Sequence, residues 1–162
     1  MRDSRLDEID VKILNLLQED ARMSQQDLAD AVGLSSPATG ERVRKLVDRG
    51  VIRGFTAVLD PKKVGRDVTA FVSVGIDGSE YFSEFVEKAT DAPEVLECHA
   101  ITGSGSHILK TRTTNTSTLE ELLARIQSWP GVSWTTTNVV LSVAKETSRI
   151  VMEPPKPEKD EE

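Results

Sequence analysis

The stretch Ser24-Gln25-Gln26-Asp27-Leu28-Ala29-Asp30-Ala31-Val32-Gly33 runs straight into Leu34-Ser35-Ser36-Pro37-Ala38-Thr39-Gly40-Glu41-Arg42-Val43-Arg44-Lys45-Leu46-Val47-Asp48-Arg49-Gly50. Its spacing predicts two short helices joined by a tight turn. Ser24 followed three residues on by Asp27 is an N-cap signal, and Asp27 sits at the positive end of the helix dipole. Leu28, Ala31 and Val32 supply a buried face, and Gly33 accepts the left-handed backbone that closes a helix. A serine cap followed by Pro37 at the first helical position opens the next helix. Val43, Leu46 and Val47 form its apolar stripe, and Gly50 ends it. Arg42, Lys45 and Arg49 recur on a neighbouring face at spacings of three and four, with Arg44 beside them. From Ser36 to Arg49 the helix carries four basic residues and two acidic ones.

Upstream, Leu6, Ile9, Ile13, Leu16 and Leu17 recur at helical spacing and predict an amphipathic helix from about Asp7 to Glu19. The three helices form a helix-turn-helix pattern whose last helix is basic. A helix that enters a DNA groove needs small or polar residues at its leading end, here Ser36, Ala38, Thr39 and Gly40. Arginine and lysine then supply phosphate or guanine contacts.

The chain has 162 residues, 38% hydrophobic and 29% charged, and suits one or two soluble domains with an aliphatic core. Its net charge of −7 is unevenly spread. Residues 1–66 hold 12 Lys/Arg against 11 Asp/Glu, whereas residues 67–150 hold 6 against 11. An anionic partner therefore belongs with the first third. No segment approaches the roughly 20 apolar residues that cross a bilayer, so no membrane partner is expected. Met1-Arg2-Asp3-Ser4-Arg5 does not begin an apolar signal core. The single cysteine, Cys98, makes a reducing cytoplasm the default.

Val51 to Leu59 is β-branched and apolar and reads as a strand closing a first domain, 1–59. Asp60-Pro61-Lys62-Lys63-Val64-Gly65 has turn chemistry, a linker over 60–66. Strand and helix patterns then alternate from residue 67 to 148. Strands are expected over Asp67–Ile76, Val95–Thr102, His107–Thr113 and Val132–Val143. Helices are marked by Phe82, Phe85, Val86 and Ala89, and by Leu119, Leu122, Leu123 and Ile126. This is βαββαβ, a ferredoxin-like sandwich with both helices on one face of an antiparallel sheet. The other face carries Phe71 or residues of the Thr135-Thr136-Thr137 run, depending on register. Such a bare face is commonly covered by another subunit, so a homodimer is expected. Residues 149–162 read as an acidic, disordered tail.

The ordered motifs Leu6-Asp7-x-x-Asp10-x-x-Ile13-Leu14, Asp20-Ala21-Arg22, Asp27-Leu28-Ala29, Gly33-Leu34-Ser35, Glu41-Arg42-Val43-Arg44-Lys45-Leu46 and Gly50-Val51-Ile52-Arg53-Gly54-Phe55 resemble the Lrp/AsnC family of transcriptional regulators. So do Thr102-Gly103 before Leu109-Lys110, and Gly131-Val132 before Thr135-x-Thr137-x-x-Val140-Leu141. The resemblance covers about residues 5–148. It implies an α+β chain: an N-terminal winged helix-turn-helix head and a C-terminal ferredoxin-like effector-binding and oligomerisation domain. It implies double-stranded DNA as partner, a small effector such as an amino acid bound between subunits, and a homodimer that assembles to an octamer. By position it places Ser35, Ser36, Ala38, Thr39, Arg42, Arg44, Lys45 and Arg49 at DNA. It places Gly103, Ser104, Gly105, Ser106 and His107 in the effector loop, with Thr135 and Thr137 near the subunit interface. Family members often carry acidic residues in that loop, typically an aspartate before an aromatic. Here the segment is Ser104-Gly105-Ser106-His107, without a carboxylate for an amino-acid ammonium.

Other chemistry is poorly supported. Gly103-x-Gly105 joins two strands, whereas a dinucleotide fingerprint needs a following helix. Cys98, His99 and His107 flank that turn, but no fourth metal ligand is evident. No cofactor is expected. An enzyme remains the alternative class, since some haem-biosynthesis decarboxylases resemble this family in fold. The basic helix and the lack of a catalytic set oppose it.

Overall fold

The structure is a computed structural model that describes residues 6–153 and residue 155. The basic residues 1–5, and Pro154 with Lys156–Glu162 of the expected tail, lie outside the described residues. The chain divides into two compact units. One contains the described residues up to Ala57 together with those from Glu146 onward, and the other spans Val58–Lys145.

The first unit is the three-helix head: α1 (Glu8–Glu19), α2 (Gln25–Val32) and α3 (Ser36–Asp48). Each begins on the cap its sequence supplies. Asp7 caps α1, its Oδ1 accepting from the Asp10 amide at 2.8 Å. Ser24 caps α2, and Gly33 at φ +74° ends it. The cap of α3 is Ser35, one residue earlier than the Ser36-Pro37 pair suggests, so Pro37 falls in the first turn at its second position. The last turn of α3 closes through Gly50 at φ +70°: the Gly50 amide donates to the Val47 carbonyl at 2.8 Å and the Val51 amide to that of Leu46 at 2.9 Å. Ile13, Leu14, Leu28 and Leu46 form the core, with Val43, Val51 and Ile52 packed against it.

Two expectations are corrected here. The strand over Val51–Leu59 does not form: Val51 and Ile52 turn inward, and from Arg53 onward the chain is exposed without a pairing partner. β-propensity describes residues that fit a pleated, half-covered surface, and none is offered to this run. The tail is also not wholly free. Met152 packs against the head core, and residues 149–152 bond to α1.

The second unit contains β1 (Val68–Ile76), α4 (Phe82–Asp91), β2 (Val95–Ala100), β3 (His107–Thr113), α5 (Thr116–Gln127) and β4 (Val132–Val139). The strands lie in the order β2-β3-β1-β4, every pair antiparallel, which is the expected ferredoxin-like arrangement. The second and fourth strands end earlier than their sequences suggest, at Ala100 and Val139. Period-two alternation puts Ala70, Val72, Val74 and Ile76 under the helices. There Val72, Val74, Leu109, Phe85, Leu122 and Ile126 build the core.

Directly paired residues share a face in an antiparallel sheet, so the register settles which residues occupy the bare one. Phe71 pairs with Lys110 and Asn138, Ser73 with Ile108 and Thr136, and Gly75 with Trp134. Phe71 and Trp134 are each 38% exposed there. Thr135 and Thr137 pair with Val74 and Val72 and so lie on the helix side.

Candidate nucleic-acid interface and effector loop

The exposed residues of α3 are Pro37, Ala38, Glu41, Arg44, Lys45, Val47 and Asp48, a single outward face at helical spacing, so Val47 of the expected apolar stripe lies outside the core. Arg44 and Lys45 both reach Glu41, Lys45 at 3.5 Å. Their side chains remain about two-thirds exposed, so they can turn toward phosphate. Ala38 leaves room at the leading end for close approach.

The structure separates the other sequence-predicted DNA residues from this outward face. Thr39 is fully buried; its Oγ1 donates to the Ser35 carbonyl at 3.0 Å, and it lies on the core side with Val43 and Leu46. Ser35 spends its hydroxyl on the helix cap. The Ser36 hydroxyl donates to Gln26 Oε1 at 2.6 Å, while its carbonyl accepts from Gln25 Nε2 at 2.6 Å. These bonds tie α2 to α3. They also explain Gly40, where an added Cβ would lie 2.4 Å from Gln25 Nε2. Arg49, in the last turn, is half-buried.

Arg42 has a structural task. Its Nη1 donates to Asp7 Oδ2 at 2.7 Å and to Asp10 Oδ1 at 2.8 Å, clamping α3 to the first turn of α1. Asp10 is 8% exposed, so this guanidinium neutralises a nearly buried carboxylate. Burial works against the Asp7 charge, but the Asp10 amide and Arg42 outweigh it and hold the Asp7 carboxyl below its ordinary value. In return, hydrogen bonds to Asp7 and Asp10 raise Arg42 above the usual arginine range.

In the second unit, Gly103–Ser106 curls over the end of β1. The Ser106 amide donates to the Val74 carbonyl at 2.9 Å, and its hydroxyl accepts from the Ile76 amide at 3.2 Å. The Ser106 carbonyl accepts from the Ile101 amide at 3.0 Å. Gly103 takes φ +113°, a backbone that favours glycine. A Cβ on Gly105 would sit 3.2 Å from the Val74 carbonyl and 3.4 Å from the Trp134 ring. Trp134 also covers Gly75, where a Cβ would meet its indole nitrogen at 2.1 Å. The loop, Gly75 and Trp134 therefore form one cluster at the sheet end. Trp134 was not among the residues singled out by sequence. Its available signal was Gly75, since glycine inside a strand often marks a close approach.

His107, Thr135 and Thr137 do not join that cluster. The His107 ring is 3% exposed, with centroids 4.9 Å from Phe85 and 5.2 Å from Phe82. Thr135 Oγ1 accepts from Gln127 Nε2 of α5 at 3.0 Å. Both lie under the helices because both pair with Val74.

Burial lowers the His107 pKa, so the folded state holds its proton less tightly than the unfolded chain does. Its contribution is fully present above the unfolded value of about 6.5 and is lost as pH falls below it. Chemical denaturation should show stability declining from pH 7 to pH 5, with a shallower decline in His107→Phe. Equal slopes in the two proteins would contradict this assignment.

A three-helix head with an outward basic helix, followed by a ferredoxin-like domain with a glycine loop at its sheet end, defines a helix-turn-helix regulator of transcription. Comparison with known proteins supports that class. The family described as winged helix-turn-helix DNA-binding matches residues 6–53, and the Lrp/AsnC ligand binding domain matches residues 69–150. The HTH-type transcriptional regulator FL11 of Pyrococcus horikoshii is 38% identical over 145 residues, covering 90% of this chain and 95% of the relative. The proline dehydrogenase transcriptional activator of Rhizobium radiobacter is 42% identical over 145 residues, covering 88% and 93%. A Neisseria meningitidis transcriptional regulator solved with L-methionine superposes with a TM-score of 0.85 at 31% identity, covering 90% and 96%. The chain belongs to the Lrp/AsnC family. It is a sequence-specific DNA-binding transcriptional regulator, and these relatives are regulators, not enzymes. Among the described residues no helix is long and apolar enough to cross a membrane.

Proposed function

We propose that Ala38, Arg44 and Lys45 on the outer stripe of α3 contact DNA, with phosphate neutralisation supplying much of the affinity. The observation that carries this reading is the exposure of Arg44 and Lys45 on the second helix of the helix-turn-helix pair. Thr39 and Arg42 hold the helix in place, and base readout falls to the leading end around Ala38. The head and the ferredoxin-like domain divide the work: the first binds DNA, and the second binds effector and joins subunits. The protein acts in the cytoplasm.

The protein works as a homodimer joined through the bare sheet face, and the dimers assemble further, up to an octamer. Phe71 and Trp134 are exposed on that face, and Lys110, only 16% exposed, pairs with Glu97 at 3.2 Å. A hydrogen bond from His99, aided by Lys110, holds Glu97 below the ordinary carboxylate range despite partial burial. Glu97 thus remains charged beside Lys110 and His99. Paired heads would meet successive major grooves about 34–36 Å apart, favouring palindromic sites.

The effector is an amino acid held at Gly103–Ser106 beside Trp134. Support comes from the loop geometry and from the L-methionine bound by two structural relatives, one from Neisseria meningitidis and one from Mycobacterium tuberculosis. Backbone and serine groups must take the place of the missing loop carboxylate.

One experiment tests assembly and effector together. Sedimentation of the full chain should give a dimer or larger species, and Phe71→Glu should give the monomer, since each subunit would then bury an unpaired carboxylate in the joint. L-methionine at 100 times its dissociation constant should stabilise the native protein by about 2.7 kcal/mol. A monomeric unmodified chain would overturn the assembly. A panel of the twenty amino acids that leaves thermal stability unchanged would overturn the effector.

A further inference from the structure

Residues Arg149, Ile150 and Met152 run along α1 from Glu19 toward Asn15. Gln18 bonds both backbone groups of Ile150: Nε2 donates to the carbonyl at 2.9 Å, and Oε1 accepts from the amide at 2.8 Å. Asn15 Nδ2 donates to the Met152 carbonyl at 3.0 Å, and Arg149 reaches Glu19 at 2.5 Å. The Met152 side chain packs against the cluster built on Ile13 and Leu46. A side-chain amide that grips both the N–H and the C=O of one residue fixes register. Sliding the segment by one residue breaks both bonds and withdraws the Met152 anchor.

We propose that residues 149–152 are a strap on the DNA-binding head, and that its docking controls how firmly α3 is presented to DNA. The proposal rests on the reading of α3 as the DNA-contacting helix. The contacts form a continuous series. The strap holds Asn15, Gln18 and Glu19 in the second half of α1. The first turn of α1 holds α3 through Asp7 and Asp10 on Arg42. A helix of 12 residues is marginal by itself, so its order depends on what grips it. The strap is also the return of the chain from the ferredoxin-like unit. The head is therefore joined to that unit covalently twice, near residue 57 and near residue 146. A displacement at the end of β4 has a second route to the head beside the linker.

The test uses the full chain carrying Asn15→Ala and Gln18→Ala. Alanine is the better helix former at both positions, so without a strap the double variant tightens α1. With a strap it loosens α1. A net hydrogen bond of about 1 kcal/mol corresponds to roughly fivefold in an opening equilibrium. Loss of three such bonds should speed amide exchange across α1 by at least about tenfold. Affinity for a mixed-sequence duplex at low salt should fall at least about fivefold, with exchange in the β-sheet and the sedimentation unchanged. A second variant, Met152→Asp, leaves α1 untouched and should reproduce both effects. Unchanged or slower exchange in α1 in both variants would overturn the strap. Faster exchange with duplex affinity held within about twofold would overturn its control of DNA binding. Failure of the α3 reading itself shows separately, as an Arg44→Ala, Lys45→Ala chain that binds duplex normally.

Discussion

Replacing Arg44 and Lys45 together with alanine is expected to weaken duplex binding by about 100-fold, at about 1.5 kcal/mol for each charge-assisted contact. The loss should be nearly uniform across DNA sequences, because phosphate contacts carry little sequence information. A plot of log affinity against log salt should become shallower by about 2, since each neutralised phosphate contributes about 0.9 to the slope. Glu41 supplies an internal control. It pairs with both cations in the free protein, so Glu41→Gln should strengthen non-specific binding. A double variant with the original salt slope would move the interface off α3.

Arg42→Ala should behave quite differently. Its removal leaves Asp10 nearly buried without its cation, and costs the head about 2 kcal/mol of stability. For a domain of this size that is a drop of roughly 8–16 °C in midpoint. Neutralising the stranded carboxylate by Asp10→Asn in the same chain should recover part of the loss. The salt slope of DNA binding should be almost unchanged, in contrast to the double variant. The clamp also predicts a pH response. The Asp7 carboxyl is lowered from 3.8, so its stabilisation is fully present above that value and is lost as pH falls through the folded value. Scanning calorimetry below pH 4 should show Arg42→Ala losing less stability than the unmodified chain.

Much of the fold is legible along the chain because it is local. Ser24 with Asp27, Gly33 and Gly50 act within one helical turn, and the structure uses each as its spacing suggests. The alternation of β1 likewise reports its own two faces. The sequence of Val51–Leu59 suits a strand, but a strand is a pairing, and among the described residues none pairs with it. Within the site, the burial of Thr39 was open to view: it stands four residues before Val43 and seven before Leu46, in their stripe. The task of Arg42 was not, since its partners lie 32 and 35 residues away. The same holds for Thr135 and Thr137, whose side of the sheet is fixed by register against Val74 and Val72. The strap is the extreme case, joining residues 130 to 137 positions apart.

That separation has a consequence for biogenesis. On the ribosome the amino end emerges first and folds as a unit. The α1–α3 bundle, with all of its caps and its Arg42 clamp, is complete when Gly50 and Val51 leave the tunnel. Arg149 to Met152 are translated only after the entire sandwich of Val58–Lys145. Each new molecule thus spends the interval of its own synthesis with α1 ungripped. The finished grip reports that the intervening domain has been made.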